Sequence, residues 1–145
     1  MCCKQLPILK PEELIFLLAD DDPDEHYLIQ NAIQEVNEFA QIHSVFTGFQ
    51  LFEFLFNKGI YEDQNNPMPH IIIADINMPI LNGFDVIKTV KETPQLNDII
   101  IYILTTSRRE EDKLKAMALG ADGYYTKPNN FADLKKIMME IHSKI

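Results

Sequence analysis

The sequence has no apolar run long enough to cross a bilayer. Its longest, residues 14–19, falls far short of the roughly 20 residues that a spanning helix needs. Cysteine is nearly missing as well: Cys2 and Cys3 stand side by side near the N-terminus. Neighbouring cysteines seldom pair with each other, and two ligands do not complete a zinc site. They read as thiols of a reducing compartment rather than as a disulfide framework. Residues 1–11 lack the long apolar core of a secretory signal, so the chain reads as soluble and cytoplasmic, with no membrane partner. Basic charge is scarce too, with 13 Lys and Arg against 22 Asp and Glu and a formal net charge of −9. Apart from Arg108-Arg109 the basic residues are dispersed, so a nucleic-acid backbone is not an expected partner. There is no low-complexity tract and no internal repeat.

What remains is a globular composition. At 145 residues, 46% hydrophobic and 24% charged, the chain is one domain with a real core. Residues 1–12 read as an N-terminal tail and residues 13–145 as the domain. The domain centres on His70-Ile71-Ile72-Ile73-Ala74-Asp75-Ile76-Asn77-Met78-Pro79-Ile80-Leu81-Asn82-Gly83. Its β-branched first half reads as a strand buried on both faces. The run stops at a carboxylate, Asp75, with Asn77, Pro79 and Gly83 breaking the pattern beyond it. The C-terminal end of a buried parallel strand is where open α/β sheets place their ligands.

A second buried run, residues 14–19, ends in Asp20-Asp21-Asp22. Pro23 and Asp24 then open a helix reaching to about residue 38. A short strand is expected over 42–46, a turn at Thr47-Gly48, and an apolar helix over 50–57. Phe52, Phe54 and Phe56 on that helix cannot all face the core. Residues 58–69 read as a surface loop. Helices follow over 84–91 and 110–119, the latter stopped by Gly120, and a last one carries Phe131, Leu134, Ile137, Met138 and Ile141 on one face. The remaining strands are 99–104, ending at Thr105-Thr106-Ser107, and 122–126, running into Lys127-Pro128. His26, His43, His70 and His142 have no ligand spacing and read as structural or solvated.

Strands alternating five times with helices predict a doubly wound α/β fold, a parallel sheet with helices on both faces. Right-handed crossovers bring the strand C-termini to one edge. Asp20, Asp21, Asp75, Thr105 and Lys127 all fall there. Three gathered carboxylates repel one another and call for a cation, and hard oxygen ligands suit Mg²⁺ or Mn²⁺ better than zinc. A hydroxyl from Thr105 and the ammonium of Lys127 suit the oxygens of a transferring phosphoryl group. The chemistry that these residues suggest is phosphorylation of Asp75.

These motifs resemble the receiver domain of two-component response regulators, of the stand-alone, chemotaxis-regulator-like kind. The resemblance runs from Leu14 to the C-terminus. It rests on Asp20-Asp21, on Asp75-Ile76-Asn77-Met78-Pro79 with Gly83, on Thr105, and on Lys127-Pro128. It implies a flavodoxin-like five-stranded sheet in the order 2-1-3-4-5. It also implies that Asp75 accepts a phosphoryl group from a sensor histidine kinase or phosphotransfer protein. Asp21, Asp75 and the backbone carbonyl of Asn77 would ligate Mg²⁺, with Asp20 acting through water. Lys127 would contact the phosphoryl group across a cis bond to Pro128. Thr105 and Tyr124 would switch, changing the partner affinity of the surface made by the fourth helix, fifth strand and fifth helix. Asn77 and Ser107 would tune the lifetime of the acyl phosphate. With the last helix reaching Ile145, the signal is expected to leave through contact with a downstream protein, and homodimerisation stays open. Such a protein is not an enzyme beyond its own phosphorylation and dephosphorylation.

Two other readings compete. One is a receiver-like adaptor independent of phosphate; loss of Asp75 or Lys127 would have marked it, and both are present. The other is a phosphatase of the haloacid-dehalogenase type with its nucleophile on the first strand. Asp20-Asp21-Asp22-Pro23-Asp24 lacks the Thr or Val of that pattern, and no second acidic pair appears near the C-terminus. An EF-hand reading fails because Glu25 stands where a glycine is wanted.

Overall fold

The structure is a computed structural model and describes residues 14–145. The tail expected over 1–12, with Cys2 and Cys3, lies outside the described residues. Five strands, β1 (Ile15–Ala19), β2 (Gln41–Val45), β3 (Ile71–Ala74), β4 (Ile100–Thr105) and β5 (Gly123–Thr126), form one parallel sheet in the order β2-β1-β3-β4-β5. Five helices connect and close them: α1 (Pro23–Val36), α2 (Gly48–Phe56), α3 (Gly83–Glu92), α4 (Glu110–Leu119) and α5 (Phe131–Ser143). This is the doubly wound architecture expected from the alternation of apolar runs and helical periods.

The period of two along each strand splits the core in half. Leu17, Ala19, Ile72, Ala74, Ile101 and Ile103 face one side, where they meet Leu51, Phe54 and Leu55 of α2, Val86, Ile87 and Val90 of α3, and Ala116 of α4. Phe16, Leu18, Ile71, Ile73, Tyr102 and Leu104 face the other, against Ile29, Ala32 and Ile33 of α1 and Leu134, Met138 and Ile141 of α5. Central strands covered on both faces explain why β1, β3 and β4 read as continuous apolar runs. Edge strand β2 is half-buried over much of its length, and its pattern was correspondingly weaker.

Local chemistry sets where helices begin and end. Asp22 caps α1 by accepting from the Asp24 N–H, with Pro23 in the first helical position. The helix stops at Val36, two residues short of the expectation, because Asn37 turns extended while its N–H still bonds Ile33. Thr47 caps α2 through the Gln50 N–H, so the helix starts at Gly48 rather than at 50. Asn82 and Asp85 form a capping box at the start of α3. Gly120 closes α4 at φ +113, a left-handed geometry that favours glycine. Phe54 is buried, Phe52 half-buried and Phe56 exposed, as the spacing required. The long connection after α2 carries a 3-10 turn, Gly59–Tyr61, but no longer element.

Candidate functional site

The strand ends meet as the alternation predicted. Asp20 follows β1, Asp75 follows β3, Thr105 is the last residue of β4, and Lys127 follows β5. Asp20 and Asp75 are buried, whereas Asp21 is exposed at the rim. One carboxylate oxygen from each of Asp20, Asp21 and Asp75 lies within 4.8 Å of the others. The Lys127 Nζ donates to Asp20 Oδ2 at 2.7 Å and to Asp75 Oδ2 at 3.2 Å, with Glu25 Oε2 at 3.9 Å. Backbone donors hold the other oxygens of Asp20 and Asp75: the Asp22 N–H bonds Asp20 Oδ1 at 2.9 Å, and the Asn77 N–H bonds Asp75 Oδ1 at 3.2 Å. Gly83 lets the loop fold back on the strand end, since a Cβ there would stand 2.6 Å from the Asp75 carbonyl oxygen and 2.8 Å from Ile76 Cα.

Electrostatically the cluster is short of positive charge. Burial pushes the Asp20 carboxyl above its ordinary value, against the opposing bonds from Lys127 and the Asp22 N–H. Burial works to lower the Lys127 pKa, but the bond to Asp20 and the charges of Asp75, Asp20 and Glu25 carry it above its ordinary value. Three carboxylates against one ammonium, with hard oxygen donors converging at the rim, fit a small divalent cation such as Mg²⁺ or Mn²⁺. Glu25 is the neighbour that sequence reasoning missed. It lies one helical turn beyond the acid cluster, and only the fold brings it to Lys127.

Other expected residues are placed as follows. Thr105 is fully buried, and among the described residues its Oγ1 receives only a long 3.4 Å bond from the Ser107 N–H. The Tyr124 hydroxyl donates to the Ser107 carbonyl at 3.2 Å, and Thr126 Oγ1 donates to the same oxygen at 3.3 Å. Asn77 is exposed just past Asp75. The expected cis bond between Lys127 and Pro128 is not found; there is no cis peptide among the described residues. The two isomers of an X–Pro bond differ by only about 0.5–1 kcal/mol. Lys127 reaches both carboxylates from the trans form.

A family model described as response regulator receiver domain matches residues 16–139. The chain belongs to that family. It is 31% identical over 129 residues to response regulator Rcp1 of Synechocystis sp., covering 89% of this chain and 86% of that protein. A crystal structure of the Mn²⁺-bound form of Rcp1 superposes with a TM-score of 0.79, covering 90% of this chain and 92% of that one. The phosphorylated cyanobacterial phytochrome response regulator RcpA superposes with a TM-score of 0.80 at 27% identity, covering 90% and 91%. The particular kinship is therefore with stand-alone response regulators such as Rcp1, and the haloacid-dehalogenase alternative finds no support in these likenesses. No helix among the described residues is long and apolar enough to cross a membrane.

Proposed function

We propose that the protein is a cytoplasmic response regulator that accepts a phosphoryl group on Asp75 from a sensor histidine kinase or phosphotransfer protein and signals by protein contact. The observation that carries this reading is the Lys127 ammonium 3.2 Å from the Asp75 carboxylate, within a cluster where Asp20 and Asp21 converge on the same point. A carboxylate oxygen of Asp75 attacks phosphorus in line. The P–N bond of the donor phosphohistidine breaks, and its electron pair leaves with the imidazole, which keeps or regains a proton. Lys127 offsets charge on the phosphoryl oxygens, and Glu25 and Asp20 hold that ammonium on the acceptor side. The carboxylates of Asp20, Asp21 and Asp75, with the backbone carbonyl of Asn77, would hold Mg²⁺, whose charge offsets that of the phosphoryl group.

Thr105 is the residue to respond. Its hydroxyl is buried at the strand end with one weak partner, so turning it toward a phosphoryl oxygen forfeits little. Tyr124 is tied to the same Ser107 segment and would follow, altering the surface of α4, β5 and α5. Mn²⁺-bound Rcp1 and phosphorylated RcpA support the reading as neighbours of the same fold.

The test is incubation with acetyl phosphate and Mg²⁺, followed by intact-mass measurement and mapping of the adduct. One phosphoryl adduct on Asp75, not formed when EDTA replaces Mg²⁺ and absent from Asp75→Asn, is the expected result. No adduct would favour the phosphate-independent adaptor, and an adduct on Asp20 would overturn the assignment. Oligomeric state followed in the same samples reports on the homodimer.

A further inference from the structure

His26 lies in the first turn of α1 and is buried, on a helix whose other buried residues are Ile29, Ala32 and Ile33. Its Nε2 is 2.8 Å from the backbone carbonyl oxygen of Asp20. A carbonyl only accepts, so Nε2 carries the hydrogen of this bond, and in the neutral imidazole Nδ1 is then bare. Nδ1 is buried with no hydrogen-bond partner among the described residues, and the ring packs on Phe46 with centroids 4.6 Å apart. A buried nitrogen without a partner costs stability that an apolar side chain in this place would not. The single donated bond is what the imidazole contributes here.

The acceptor gives that bond its meaning. The Asp20 N–H donates to the Val45 carbonyl at 3.3 Å, and the Asp20 carbonyl accepts from His26, so both sides of this residue's backbone are tied. Asp21 comes next. It is exposed, and no hydrogen bond holds its side chain among the described residues. The torsions on either side of the peptide joining it to Asp20, ψ of Asp20 and φ of Asp21, set where its side chain starts. With those torsions held, its carboxylate stays near those of Asp20 and Asp75, which it now approaches within 4.8 Å.

We infer that His26 is a positioning residue for the cation-binding acids: its Nε2–H fixes the Asp20–Asp21 peptide so that Asp21 faces Asp20 and Asp75. The inference rests on the reading of those acids as a cation site. Groups that orient ligands in this way are typically worth about 10–100-fold in metal affinity.

The test is a calorimetric Mn²⁺ titration of the full chain, with melting in EDTA recorded for each variant. His26→Leu and His26→Phe, which lack the donor, should bind Mn²⁺ about tenfold more weakly. His26→Gln, whose amide nitrogen reaches toward the same carbonyl, should recover most of the affinity. Variants that melt lower yet bind Mn²⁺ as the wild type does would make His26 merely structural and overturn the inference. Wild-type protein that binds no Mn²⁺ would overturn the cation site itself, a separate and recognisable failure. A long-range ¹H–¹⁵N spectrum of the wild type does not depend on any variant folding. It should show the Nε2–H tautomer, and Mg²⁺ should move the His26 ring and Asp21 amide signals together. An Nδ1–H tautomer, or a ring unmoved by Mg²⁺, would overturn the inference.

Discussion

Replacing Lys127 by Met keeps most of the aliphatic stem and deletes the ammonium. The charge it removes is nearly buried: the side chains of Lys127, Asp20 and Asp75 are 10%, 4% and 8% exposed. Breaking a buried pair by removing one partner costs about 3–5 kcal/mol, because the remaining charge is left uncompensated. Exposed Asp21 and partly exposed Glu25 open this site to water, which argues for the lower end, about 3 kcal/mol. At roughly 2–4 °C per kcal/mol for a chain of this size, Lys127→Met should melt about 6–12 °C below the wild type in EDTA. Mg²⁺ should narrow the gap, since in the variant it meets three carboxylates with no ammonium competing for them. Calorimetry or far-UV melting with and without Mg²⁺ measures both effects. A variant melting within about 2 °C of the wild type in EDTA would refute the reasoning, as would a gap that widens with Mg²⁺.

Two further outcomes follow from geometry. Ile80 is 84% exposed at φ +70, a left-handed conformation that strains a β-branched residue by about 1–3 kcal/mol. Ile80→Gly should relieve that strain and, after about 0.4–1 kcal/mol of added unfolded-state entropy, leave a gain near 1 kcal/mol in denaturant unfolding; a loss of stability would show that the isoleucine holds a needed contact. Burial lowers the pKa of His43, whose ring lies 5.2 Å from that of Phe54. The unfolded chain therefore takes up this proton near pH 6.5 while the fold does not. Stability present above pH 6.5 is lost as the pH falls through the lowered folded value. Melting at pH 7.5 and 5.5 should show a smaller drop for His43→Gln than for the wild type, and equal drops would dismiss His43 as a source of the slope.

The strands most legible in the sequence are those with helices on both sides. Residues 14–19 and 70–74 advertise themselves because a doubly covered strand has no polar face to interrupt it, and an acid at the end of such a run has few structural reasons to be there. Edge strand β2 gives up that signal to solvent. Helix starts depended on local chemistry: that of α1 was legible because Pro23 and Asp24 open it, whereas Thr47 capping through Gln50 moved α2 two residues earlier than periodicity indicated. α4 buries only Ala116 and leaves Leu114 and Met117 exposed, so its apolar residues said little about its packing face. In the site, residues adjoining strand ends were readable because topology sends those ends to one edge. Glu25 and His26 were not, because they reach the site from the side of a helix, a relation that exists only after α1 packs. The isomer of the Lys127–Pro128 bond was also beyond reach, as the energies of its two forms lie too close for the dipeptide to decide.

Asp20 and Lys127 share an ion pair although 107 positions separate them along the chain. During synthesis, a nascent polypeptide still lacking β5 carries its acids with no counter-charge to organise them. The paired form of the acid cluster thus arrives only once the ribosome has released β5 and the lysine behind it, so the site is among the last parts of the molecule to be completed.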